Sequence, residues 1–157
     1  MNKNLLLKLA DDLDSLPPKV FDLSSITNIY RTEKNSSLEV FELFQKLAAG
    51  DEEFDCGSTA CAIGYLPIFF PDKFRYIKYY VQLIQAYDEE PLFDFWAVEK
   101  FFGINRPISF FLFDPGAYDK DKSAKAVSNR IRQICESDDP EKFATLAYKT
   151  RNLPAPI

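Results

Sequence analysis

Cys56, Ser58 and Cys61 are the residues of this sequence whose types and spacing come nearest to chemistry. They lie in the run Phe54 to Pro71, which also holds Gly57 and Gly64, two of the five glycines. A thiol just before a helix N-terminus sits at the positive end of the helix dipole, which favours the thiolate. Cys56 is therefore a candidate reactive thiol, and Cys61 its candidate redox partner. On a regular helix the two Cα atoms stand too far apart to bridge without local unwinding. The plainer reading makes both cysteines small apolar core residues, and it outweighs the reactive one.

The Cys-Gly-Ser-Thr-Ala-Cys run invites comparison with phosphatase and arsenate-reductase loops. Those need an arginine just past the loop to hold an oxyanion, and Ala62 and Ile63 stand there instead. Papain-like chemistry needs an imidazole base, and the chain has no histidine. The same absence removes Ser-His-Asp catalysis and most zinc, copper and non-haem iron sites. Three cysteines with a carboxylate could still hold zinc, but Cys135 is distant and the spacing fits no familiar finger. No metal or other cofactor is expected.

Three other groups remain. Glu52, Glu53 and Asp55 could act as paired carboxylates, with solvated loop charges as the plainer account. Lys122, Lys125, Asn129 and Arg132 share a helical face and form a candidate anion-binding stripe for phosphate or nucleic acid. Asp119, Asp121 and Glu136 interrupt that stripe, so a solvated face is the preferred reading. Tyr76, Tyr79, Tyr80 and Tyr87 cannot all face one core, and with Trp96 they make a candidate interaction surface.

The elements that position these residues read as helices. Gly57, Ala60, Cys61 and Gly64 fall at spacings of three and four, which places a bare face on a short helix started by Asp55 or Ser58 and ended by Pro67. Leu5, Leu6, Leu9, Leu13 and Leu16 mark a helix over 1–16, stopped by Pro17-Pro18. Residues 19–35 keep neither period and read as an extended wrap. Ser36 to Glu39 form a capping-box pattern before a helix to about Ala49, which Gly50 stops. For 73–87, aromatic and β-branched content favours a strand. The polar positions Arg75, Lys78, Gln82 and Gln85, spaced three, four and three apart, predict a helix instead. Further helices are expected from Asp94 to Phe102, from Arg106 through Phe113, over 121–136, and from Pro140 through Phe143, Leu146, Ala147 and Tyr148. Residues 152–157 read as a loose tail.

The chain has 157 residues, 46% of them hydrophobic and 27% charged, which suits one globular domain with a real core. Fifteen phenylalanines against one methionine predict a core built from rings. A net charge of −5 argues against general nucleic-acid binding. No apolar run is long enough to span a bilayer, so no membrane partner is expected. Three cysteines are no disulfide framework, which points to a reducing cytoplasm.

Cys56-Gly57-Ser58, Cys61-Ala62-Ile63-Gly64, Phe101-Phe102-Gly103-Ile104, Phe111-Leu112-Phe113 and Arg130-Ile131 together resemble a loose group of small uncharacterised bacterial and phage-borne proteins. That group shares a Cys-Gly-Thr/Ser-x-x-Cys-x-x-Gly core, a Phe-Gly pair and a Leu-Phe pair. The resemblance covers roughly residues 54–135, with Ser58 where threonine is commoner. It implies an association with phage or mobile elements and no particular activity.

The expectation is a single all-α domain over 1–157, of six to eight helices around a short buried small-residue helix. Its expected role is a non-enzymatic interaction or regulatory protein whose partner is another protein, with homo-oligomers possible. A Cys56-based sensor or enzyme and phosphate or nucleic-acid binding at 121–136 are the alternatives.

Overall fold

A computed structural model of the chain describes residues 1–54 and 56–150. Expectations for Asp55, the Tyr148 side chain and the tail 152–157 lie outside the described residues. The architecture is α+β, not all-α. Among the described residues it has seven helices and two small antiparallel sheets of two strands each.

Helix α1 (Lys3–Asp14) buries the leucine stripe Leu6, Leu9 and Leu13, and the Asn2 side chain caps it at the Leu5 amide. The extended wrap expected over 19–35 is broken up: it opens on a 3-10 turn (Pro18–Val20), buries Val20, Phe21 and Leu23, forms strand β1 (Thr27–Asn28) and closes on a turn at 33–37. Helix α2 (Val40–Ala48) starts later than the capping-box pattern suggests. Glu39 is its N-cap, with no side-chain cap bond, and Ser36 lies in the preceding turn.

The expected small-residue helix does not form. Strand β2 (Thr59–Ala60) pairs with β1, placing Ala60 opposite Thr27 and Thr59 opposite Asn28. A turn then leads into the four-residue helix α3 (Leu66–Phe69). Pro67 stands in the first turn of α3, so it opens a helix where it was expected to close one. The small side chains do serve close approach, but to a strand-like backbone. The Cys61 amide donates to Ser25 O at 2.9 Å and the Asp22 amide to Ala60 O at 3.1 Å. A Cβ on Gly64 would lie 1.8 Å from Ile26 O. Segment 22–28 thus covers the face at Ala60, Cys61 and Gly64, while at Gly57 the nearest neighbour is the Tyr30 ring.

Residues 73–87 are not a helix either. Strands β3 (Phe74–Ile77) and β4 (Tyr80–Leu83) form a tight hairpin. Two residues of the apparent helical stripe, Arg75 and Gln82, face each other across it, and Arg75 Nε donates to Gln82 Oε1 at 2.8 Å. A cross-strand polar pair had mimicked a helical period, and the aromatic, β-branched composition was the truer signal. Leu92 and Phe93 extend the hairpin's β4 edge: Leu83 N donates to Leu92 O, and Gln82 bridges Phe93.

The C-terminal half is helical as expected: α4 (Asp94–Phe102), α5 (Arg106–Phe113), α6 (Ala124–Glu136) and α7 (Pro140–Thr150). Gly103 ends α4 in the left-handed conformation. Asn105 and Ser123 cap α5 and α6 through their side chains. The buried side chains of both halves join one hydrophobic cluster, rich in edge-to-face rings such as Phe70, Phe74, Phe101 and Phe102. Within the described residues no helix is long and apolar enough to cross a membrane.

Candidate interaction groove

The hairpin tip, the first turn of α4 and the face of α5 enclose an open apolar groove of about 600 Å³. The tip supplies Ile77, Lys78 and Tyr80. The run Phe93 to Trp96 supplies three rings and a carboxylate, and α5 supplies Arg106 and Phe110. Trp96 is 62% exposed and Tyr80 56% exposed, so these rings line the groove without being spent on the core. Tyr80 meets Phe93 edge to face at 6.4 Å, and Phe95 meets Phe110 at 5.2 Å.

Charge inside the groove is ordered. The Arg106 guanidinium lies 4.0 Å from the Trp96 ring centroid and 5.2 Å from that of Phe110. Its Nε is 2.7 Å from Glu99 Oε1, which also accepts from the buried Ser109 hydroxyl at 2.6 Å. Asp94 was expected to cap α4. Instead its carboxylate reaches across to the hairpin and accepts the Val81 amide at 3.0 Å. Burial lifts the Asp94 carboxyl above the usual range, against the opposing effect of that bond. Asp94 (φ 48°) and Lys78 (φ 55°) are the non-glycine residues with positive φ among the described residues, and both line this groove. Left-handed backbone at such residues costs on the order of 1 kcal/mol and concentrates at functional sites.

The expected interaction residues divide. Tyr80 and Trp96 meet in the groove. Tyr79 sits at the hairpin tip with its ring 64% exposed, while its carbonyl accepts the Thr27 hydroxyl at 3.1 Å. Tyr87 stands fully exposed in the loop after β4, outside the groove lining. Tyr76 belongs to the core: its hydroxyl donates to Gly64 O at 2.6 Å and its ring packs on Phe44.

The other candidates are placed elsewhere. Cys56, Cys61 and Cys135 are free thiols. Cys56 follows a short 3-10 turn rather than preceding a helix, and its sulfur lies 3.0 Å from Ser58 Oγ. Cys61 is buried, and burial pushes its thiol up to about 11. Glu52 and Glu53 lie on that 3-10 turn with no buried residue among them. Lys125 and Arg132 point at α1, where Asp14 receives both and Asp11 receives Arg132 at 2.8 Å. Lys122 is exposed ahead of α6. Among the described residues no group of three acidic, cysteine or histidine side chains could hold a metal.

Sequence reasoning missed Ile77, Lys78, Phe93, Asp94, Phe95, Arg106 and Phe110 as groove residues. Reading 73–87 as a hairpin would have brought the first two beside Tyr80. The Asp94 to Val81 bond carries no sequence signal.

Compared with protein-family models, with curated proteins and with solved structures, the chain matches none.

Proposed function

We propose that this is a non-enzymatic interaction protein whose working surface is the groove between the hairpin tip and helices α4 and α5. The observation that carries the reading is Trp96: a large ring, mostly exposed, stacked against the Arg106 guanidinium in the lining of an apolar cleft. Rings of this kind supply large contact area at small entropic cost and dominate binding energy at interfaces. The partner is a protein, and the setting is a reducing cytoplasm, which three free thiols suit. The association with phage or mobile elements that the sequence resemblance implies is part of this proposal.

The test compares partners captured by the native chain and by the Tyr80→Ala/Trp96→Ala double variant, followed by titration with the purified partner. Loss of about 2 kcal/mol or more, with circular dichroism unchanged, is expected from removing two such rings. A partner that binds the double variant as tightly as the native chain overturns the reading. Self-association lost in the variant would identify the partner as a second copy.

A further inference from the structure

Resting on the groove as the working surface, we infer that its occupant is a basic segment of a partner protein, which lays an arginine or lysine side chain among these rings beside Asp94. Three observations point to that chemistry, and one opposes it in a way that can be tested.

The groove already shows how it treats a cation. Trp96 and Phe110 take the guanidinium of Arg106 against their faces, so ring planes here are presented in the manner a cation requires. Arg106 itself is paired with Glu99, and among the described residues no cation lies over the remaining rings, Tyr80, Phe93 and Phe95.

Among the described residues Asp94 has no counter-ion. Its Oδ1 accepts the Val81 amide, and no described side chain donates to the carboxylate or forms an ion pair with it. A half-buried carboxylate in apolar surroundings is destabilised until a cation arrives. The positive φ at Asp94 is the backbone conformation that accompanies this placement of the side chain over the hairpin.

The chain that leads into the groove is acidic: Asp88, Glu89 and Glu90, all exposed, precede Phe93 by three to five residues in sequence, and the whole chain carries −5. Such a field draws a basic partner and repels an acidic one.

Two cations line the groove, and with Arg106 paired to Glu99 it is Lys78 that opposes this, which makes it diagnostic. Removing its charge should favour a cationic occupant and disfavour an anionic one.

Trp96 is the single tryptophan, so its fluorescence reports this groove alone. The probes are two capped peptides alternating leucine with arginine, or leucine with glutamate. The arginine peptide should give a saturable change that weakens about tenfold in Asp94→Asn. Its affinity should also fall several-fold between about 50 and 300 mM salt, and it should tighten in Lys78→Met. Asparagine keeps an acceptor for Val81 and tolerates the left-handed conformation. If Asp94→Asn nevertheless unfolds, Lys78→Met alone decides the sign. Tighter binding of the glutamate peptide, or indifference of the arginine peptide to both substitutions, overturns the inference while leaving the groove as a binding surface. Silence of Trp96 towards both peptides also overturns it, and partner capture then judges the groove separately.

Discussion

Gly64→Ala tests the tightest approach at any of the five glycines. The added Cβ would stand 1.8 Å from Ile26 O and 2.7 Å from Ala60 Cβ, where ordinary contact begins near 3.4 Å. One backbone must retreat by about 1.5 Å, since a carbonyl oxygen is no flexible side-chain end. Retreat of segment 22–28 strains the Ser25–Cys61 and Asp22–Ala60 bonds and the β1–β2 pairing. Retreat of Gly64 instead pulls its carbonyl from the Tyr76 hydroxyl. Overpacking of about 1–3 kcal/mol plus one or two bonds worth about 1 kcal/mol each gives about 2–5 kcal/mol. That is a large share of the roughly 5–15 kcal/mol of a typical domain. Urea unfolding followed by far-UV circular dichroism reads it as a midpoint lowered by about 1–2.5 M, at a slope of about 2 kcal/mol per M. Gly116→Ala is the control: its Cβ would meet only the Asp114 carboxylate, at 3.4 Å. A Gly64→Ala protein within about 1 kcal/mol of the native one refutes the reasoning.

Other outcomes follow from the same geometry. Stability should fall as pH rises from 9 towards 11, because the unfolded Cys61 thiol ionises near 9.0 and the folded one only near 11. That loss is about 2–3 kcal/mol. Tyr65 and Tyr76, both raised by burial, add to it with the same sign at higher pH. Urea midpoints across this range should flatten near pH 9–10 in Cys61→Ala, and an unchanged profile refutes the assignment. Asp14→Ala should cost about 1.5–3 kcal/mol, since the carboxylate joins Ser128, Lys125 and Arg132 to α1. Burial alone would raise the Asp14 carboxyl, but these partners hold it below 3.8. Its contribution is therefore present above that value and lost as pH falls through the lower folded one. Acid-unfolding curves of the native chain and Asp14→Asn should converge at low pH. Lys78→Gly should raise the melting temperature, by about 0.5–1 kcal/mol of stability, because glycine adopts φ 55° without the Cβ penalty. A lowered melting temperature there would mean that the lysine side chain stabilises the turn.

The legible elements were those in which one local signal sufficed. The leucine stripe of α1, Gly103 after α4, and Asp139 before Pro140 each state their role within a single turn; the Lys142 amide does donate to Asp139 at 3.1 Å. Misreadings arose where partners distant in sequence decide the conformation. Ala60 is a strand residue because Thr27 and Phe21 pair with it, and nothing near Ala60 announces that. At 73–87 two polar residues seven apart serve equally as a helical stripe or as opposed hairpin positions, and only a tight turn distinguishes them. Lys78-Tyr79 is not a usual turn pair, so the sequence lacked the Asn-Gly signal that normally marks such a hairpin. For the groove, Tyr80 and Trp96 were recognisable by type. Arg106 and Phe110 were not, since they come to Trp96 only once α5 has folded back.

The seam between α1 and α6 has a consequence for biosynthesis. Leu6, Leu9 and Leu13 precede by more than a hundred residues the α6 surface that shields them and the basic groups that answer Asp11 and Asp14. Throughout that interval the nascent chain presents a greasy amphipathic rod whose earlier-made neighbours in the fold, among them the Phe69–Phe70 corner met by Lys8 and helix α4, leave its α6-facing side uncovered. Translation products halted before Ala124 will therefore be the sticky ones, while release of α6 lets the leucine helix dock late.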